Sequence, residues 1–251
     1  MWHRGPLEML RTATSVLVLV MAASSAMAAD LIIDEPAAAP VMAAGHDWSG
    51  GYIGVHLGYG WGTVEATDTD PGGGFFDEAT GESFAVDATG FLAGLQAGAN
   101  WQMDSVVLGI EGQVGFFGIS GDDVVLEDPD NFGRVDFGAY GDVTARLGFA
   151  ADNALFYLKG GLAVAQIDTT FGDIIDGTPD EDPDSTGSFS GMKGGWTVGV
   201  GAELALDDNW SVKAEYQYYD FGTEELVDVE GDTADATFKL HTVKVGLNYS
   251  F

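Results

Sequence analysis

The sequence predicts an all-β fold, an eight-stranded antiparallel transmembrane β-barrel with short periplasmic turns and four long acidic extracellular loops. Three observations predict it. Eight segments alternate apolar and non-apolar residues with period 2. The connections between them alternate short and long. The charged residues inside the segments keep to the parity opposite the apolar set.

In the first segment the odd positions are Ile53, Val55, Leu57, Tyr59 and Trp61, and the even ones Gly54, His56, Gly58, Gly60 and Gly62. One apolar face at period 2 is a strand. The second carries Phe91, Leu95, Ala97, Ala99 and Trp101, and the third Val106, Leu108, Ile110, Val114 and Phe116. The fourth groups Val135 and Phe137 with Val143, Ala145, Leu147 and Phe149. Phe156, Leu158, Leu162 and Val164 mark the fifth, and Trp196, Val198, Val200, Ala202 and Leu204 the sixth. Trp210, Val212, Ala214, Tyr216 and Tyr218 make the seventh, then Val243, Val245, Leu247, Tyr249 and Phe251 the eighth. Strands of roughly 10 to 15 residues suit a tilted crossing of hydrocarbon, where soluble strands run about 5 or 6.

Residues 102–105, 150–153 and 207–209 are the short turns, and both chain ends fall on their side. The other four connections hold 27 of the 40 acidic residues. They make one end of the barrel strongly negative.

A basic side chain facing lipid at the midplane costs roughly 2 to 4 kcal/mol, so in-strand charges belong inside. Glu111, Arg146, Lys159, Glu203, Lys213, Glu215 and Lys244 all take that parity, at similar heights above the short turns, and Asp142 shares the parity. The expectation is a lumenal ion-pair layer, Glu111 beside Arg146 and Lys159 grouped with Glu203 and Lys213 across neighbouring strands. A soluble ligand-binding barrel would reverse the pattern, apolar within and charged without. Aromatics near the strand ends on the apolar parity, among them Tyr59, Trp61, Trp101, Trp196 and Trp210, read as interfacial girdles.

Ahead of the barrel, residues 1–28 end in a basic start at Arg11, an apolar run from Val16 to Ala23 and Ala26-Met27-Ala28, the pattern of a cleaved signal peptide. Met9 makes the better start, leaving residues 1–8 as an upstream mis-start. Residues 29–47 are an Ala/Pro-rich periplasmic linker, and 48–251 the outer-membrane barrel. The eight-residue apolar run falls far short of the roughly 20 residues of a spanning helix.

Net charge of −31 excludes a nucleic-acid partner, and the absence of Cys removes disulfides and thiolate chemistry. Asp180, Asp182 and Asp184 space oxygens like the start of a calcium loop, but Ser185 stands where the turn glycine belongs and no Glu occupies position twelve. A solvated acidic loop is the better reading, and no cofactor is expected. His46, His56 and His241 lie far apart in the pattern, with no nucleophile or acid arranged around them, so no enzyme is expected either. Outer-membrane lipid and lipopolysaccharide are the expected surroundings, with divalent cations as bridges to the acidic end.

The opening WSGGYIGVHLGYGWG (residues 48–62) resembles that of the small outer-membrane proteins of alphaproteobacteria, the 25 and 31 kDa porin-like or opacity-like group. GFLAGLQAGANWQ, ARLGFA, GWTVGVGAELAL, NWSVKAEYQYYDFG and the terminal VKVGLNYSF extend the similarity to nearly every strand. Gly51, where an aromatic is usual, and Ala99, where Tyr is common, depart from it. The resemblance implies an eight-stranded barrel serving envelope integrity and surface exposure. Phe251, with Tyr249 and Leu247, looks like the terminal signal read by the barrel-assembly machinery. Two functions stay open, a closed structural and surface barrel and a narrow porin-like diffusion channel.

Overall fold

The structure, a computed structural model, describes residues 45–69, 81, 83–126, 130–175, 178–179, 186–227 and 233–251. The expected signal peptide, residues 29–44 of the linker, and Asp180, Asp182 and Asp184 lie outside the described residues.

Strands β1 (Gly50–Asp68), β2 (Ser83–Met103), β3 (Val106–Leu126), β4 (Asp130–Ala151), β5 (Ala154–Ile175), β7 (Thr186–Ala205), β8 (Trp210–Val227) and β9 (Thr233–Ser250) pair in one ring. The two-residue β6 (Thr178–Pro179) pairs only with β5. Every pairing is antiparallel. β4 closes on β5, and β1 runs along β9 from Tyr52 opposite Ser250 to Asp68 opposite Ala234. With no open edge, backbone groups find partners within the ring, as a hydrocarbon environment requires.

The turns at one end are tight. Asp104 and Asp152 each follow a strand with φ of 55° and 53°, the left-handed region that a short polar side chain tolerates better than most. At the third turn the Asp207 carboxylate accepts hydrogen bonds from the Asn209 and Trp210 amides at 2.9 and 2.7 Å, which hold its pKa below the usual carboxylate value.

The outward face from these turns up to the level of Trp61 and Trp196 is apolar and bare. Leu57, Phe91, Val143 and Leu162 are 63, 76, 69 and 73% exposed. A continuous belt of that kind belongs in lipid.

The strands are longer than the periodicity suggested, 18 to 22 residues for the eight in the ring. The reason is a change of face. Above Trp61 the outward residues of β1 become Thr63, Glu65 and Thr67, while the inward ones become Val64 and Ala66, both fully buried. β9 mirrors this, with Thr237 and Lys239 outside and Ala236, Phe238 and Leu240 inside. The lower half is a membrane barrel and the upper half has the polarity of a soluble one. The strands therefore run on into the acidic connections, β3 as far as Leu126 and β4 from Asp130.

One placement is corrected. Val135 and Phe137, grouped by sequence with the outward Val143, point inward at 0 and 3% exposure. A β-bulge at residues 138–139, seen as a register shift against β5 between Phe137 and Tyr140, flips the parity. A second bulge lies in β8 between Asp220 and Thr223, where Gly222 takes φ of 72° and donates its amide to the Asp220 carboxylate at 2.9 Å.

A Cβ at Gly222 would meet nothing within 4 Å, so substitution there tests backbone strain alone. Gly222→Ala is expected to cost about 1 kcal/mol and Gly222→Asn less, read from the temperature at which the folded band disappears on unboiled gels.

Candidate functional site

The candidate site is the barrel interior, where side chains stack in three layers. At the short-turn end, residues Gly45–Ser49 cross the mouth before β1 begins. β5 stands four strands from β1 whichever way the ring is followed, and the strap reaches that far wall. The His46 amide donates to the Asp152 carbonyl at 3.0 Å, in the β4–β5 turn. Trp48 is 6% exposed and packs on Val107, Leu155, Tyr157 and Ala205. Its amide donates to Gln102 Oε1 at 2.8 Å, and the Gln102 amide donates to Ser49 Oγ at 3.1 Å. Asp47 accepts the Ser49 amide at 2.9 Å, which lowers its pKa.

Above the strap lies the charged layer. Glu111 receives Lys159 Nζ at 2.7 Å and Lys213 Nζ at 3.1 Å, with Arg146 at 3.6 Å. Glu215 receives Lys244 at 3.0 Å, Lys159 at 3.3 Å and Lys213 at 3.6 Å. Glu203 takes Arg146 Nη2 at 3.0 Å. None of these seven residues is more than 5% exposed. Asp142, 4% exposed, lies on their upper side, so four carboxylates stand with four cations, a formally neutral set.

Away from the Glu111–Arg146 contact, the pairing differs from the expected one. Glu203 is directly opposite Lys213 in the ladder, yet its partners are Arg146, Ser211 and Asn248; Lys159 and Lys213 instead reach Glu111 and Glu215. Arg146 and Lys159 face each other across β4 and β5 as like charges. In so narrow a ring a long side chain reaches the far wall as easily as its neighbour, so each cation is drawn across the lumen to a carboxylate.

Neutral groups complete the layer, and these the sequence reading did not single out. The Tyr52 hydroxyl donates to Glu111 Oε2 at 2.8 Å and accepts from Arg146 Nη1 at 2.6 Å. Tyr157 donates to Glu215 at 2.9 Å, and the Arg146 guanidinium lies 3.9 Å from its ring centroid. Gln113 bridges Glu111 and Lys244 at 2.8 and 2.7 Å. Gln217 accepts from Lys244 and donates to Thr197 Oγ1. Their only sequence signal is inward parity at the height of the charges.

Over the charges the interior turns aromatic and aliphatic. Phe117 stacks on Tyr140 with centroids 3.8 Å apart and meets Tyr219 edge-on at 5.6 Å. Phe137, Ile119, Ile167, Phe238 and Leu240 surround them, each 3% exposed or less. His56 lies within the interior, its ring nitrogens bonded to Gln96 and the Tyr140 hydroxyl at 2.6 and 2.5 Å. His241 is on the outer face of β9 and His46 in the strap, so the three histidines share no site. Among the described residues no three His, Asp or Glu side chains are grouped to hold a metal.

The proposed assembly residues end the chain on the lipid side. Tyr249 and Leu247 are each 39% exposed; Phe251 is 76% exposed, its amide donating to Gly51 O at 3.1 Å.

Two glycines make room for the tyrosines. A Cβ at Gly98 would collide with the Tyr52 hydroxyl, and one at Gly201 with the Tyr157 ring. Gly98→Ala therefore displaces Tyr52 from Glu111 and is expected to destabilise the barrel by about 2 kcal/mol. Gly194→Ala, with nothing within 4 Å of its Cβ, should leave the unboiled-gel midpoint where it is.

Comparison with known proteins places this architecture. The outer membrane protein β-barrel domain family matches residues 15–251. The 31 kDa outer-membrane immunogenic protein of Brucella melitensis biotype 1 is 37% identical over 245 residues, covering 93% of this chain and 97% of that protein. The 25 kDa outer-membrane immunogenic protein of Brucella abortus biovar 1 is 31% identical over 249 residues, 96% of this chain and all of that one. Among solved structures, the attachment invasion locus protein Ail of Yersinia pestis aligns at a TM-score of 0.37 with 16% identity, over 80% of this chain and 99% of Ail. The 22 kDa outer membrane protein of Rhizobium leguminosarum bv. viciae is 30% identical over 64% of this chain and 67% of its own length. With the family match spanning the whole barrel, and two relatives above 30% identity along nearly their full lengths, the chain belongs to the outer membrane protein β-barrel domain family and is a protein of the Gram-negative outer membrane, akin to the alphaproteobacterial 25 and 31 kDa proteins.

Proposed function

We propose that the protein is a non-enzymatic structural and surface barrel, contributing to envelope integrity and surface interaction, with its lumen sealed to solutes by its own side chains. The observation that carries this is the three-layer stack: Trp48 and its neighbours below, a neutral set of eight buried ionisable groups in the middle, and the Phe117, Tyr140 and Tyr219 aromatics above. An unpaired charge in such a place is costly, so the pairs hold one another in position. The outward Glu65, Asp87, Asp122 and Asp136 above the girdle support an anionic, solvated outer end. The description of the Brucella relatives as immunogenic supports exposure of that end at the cell surface.

Single-channel recording of the refolded protein in a planar bilayer tests the seal. Wild type is expected to show no stable conductance. A large steady conductance, unchanged in Lys159→Ala and Arg146→Ala, would establish a diffusion channel instead. In the sealed barrel each of those variants leaves the buried set one cation short of its carboxylates and should cost roughly 3 to 5 kcal/mol, with flickering leak, whereas lipid-facing Val198→Ala should cost far less. The barrel-assembly machinery is the proposed reader of Phe251, Tyr249 and Leu247. Deleting Phe251 should lower the amount of outer-membrane protein much more than Tyr219→Phe, measured by immunoblot of membrane fractions.

A further inference from the structure

Lys239 differs from the other basic residues of the barrel. Arg146, Lys159, Lys213 and Lys244 are buried in the lumen among carboxylates, and Lys193 is paired with Glu224 at 2.5 Å. Among the described residues, only Lys239 and Arg134 carry a cation outward on the ring without a carboxylate within 4 Å. Arg134 stands high on β4, above the bulge. Lys239 stands at the boundary where the outward face changes from apolar to polar, one outward position above His241 and two above Val243.

That boundary is built around an aromatic platform. Trp61 stacks on His241 at 5.8 Å with an interplanar angle of 11°. Tyr216 Oη is 2.7 Å from His241 Nδ1, and the Tyr218 ring centre is 5.0 Å from the imidazole. Above the platform a depression of about 220 Å³ is lined by Trp61, Gly62, Thr63, Glu65, Thr237, Lys239 and His241. Three carboxylates are nearby. Asp220, across from Lys239 on β8, is turned to the Gly222 amide and the Tyr218 hydroxyl at 2.9 and 3.4 Å; Asp87, across from Thr63 on β2, accepts the Thr63 hydroxyl at 2.8 Å; Glu65, on the rim of the depression, lies two ladder pairs further from the membrane.

We propose that this depression binds the phosphorylated sugar headgroup of an outer-leaflet glycolipid, lipid A, with its phosphate on Lys239 and its sugar ring against Trp61 and His241. The outer boundary of the apolar belt is the depth of the lipid headgroups, where aromatic rings anchor. A lysine there lays its stem on apolar surface and presents its ammonium outward, and an ammonium facing a lipid phosphate makes a charge-assisted contact. On a chain of net charge −31, a phosphate has few other outward places to go. The aromatic platform beneath the cation selects a sugar-bearing headgroup over a simple phospholipid.

The test is the unboiled-gel melting midpoint of the full chain refolded in neutral detergent, titrated with bisphosphorylated lipid A, the same lipid A stripped of phosphate, or phosphatidylglycerol. Bisphosphorylated lipid A is expected to raise the midpoint of wild type and of Lys239→Arg. Lys239→Gln should need about fivefold more lipid for the same shift, the worth of one cation at a membrane surface. An unchanged titration in Lys239→Gln overturns the site. So does an equal response of wild type to the dephosphorylated lipid, and an equal response to phosphatidylglycerol removes the sugar from the recognition.

Discussion

An eight-stranded ring has an interior just wide enough for side chains, and the other features of this barrel follow from that width. Lipid outside excludes charge from the outward face, so the charges of the lower strands must go in. Once inside they lie within reach of the opposite wall, and the seven residues from Glu111 to Lys244 become one network rather than a set of neighbouring pairs. Small inward residues are needed wherever a long one crosses, which is why Gly98 lies against Tyr52 and Gly201 against Tyr157. Removing one partner leaves a charge buried and alone, so the network resists piecemeal change.

The fold and the identity of the charged layer were legible because both rest on parity. A period of 2 with Ile53, Val55 and Leu57 on one side and His56 on the other assigns the faces without any knowledge of the partner strand. What parity could not supply was distance across the ring. Glu203 and Lys213 face each other in the ladder, but their ions part company, because cross-lumen contacts depend on side-chain length and on the free space left by glycine. Val135 and Phe137 were misplaced for a different reason: one extra residue in a bulge inverts every position beyond it, and residues 138–139, Gly followed by Ala, carry no strong mark of a bulge.

The reversal of faces above the girdle hid the upper strands. Val64 and Ala66 follow the same period as Ile53 and Val55, but on the opposite parity, so a search for one continuous apolar face stops at Trp61. The physical cause is the solvent: in lipid the apolar side turns outward, and in water the same ladder buries it. The depth of the protein in the bilayer is written into the strands at the residue where the two patterns meet, with Trp61, Trp196 and Tyr218 at that level.

The strap beneath the mouth sets the direction in which the barrel bears load. The chain enters at Gly45 beside Asp152, on the β4–β5 wall, and reaches β1 only after crossing the opening and passing Trp48. Tension at Gly45 therefore meets the far side of the ring, the His46–Asp152 bond, the seat of Trp48 and the bonds of Trp48 and Ser49 to Gln102 before it reaches the β1–β9 ladder. Trp48 and its neighbours thus tie two opposite walls of the cylinder together across its periplasmic opening.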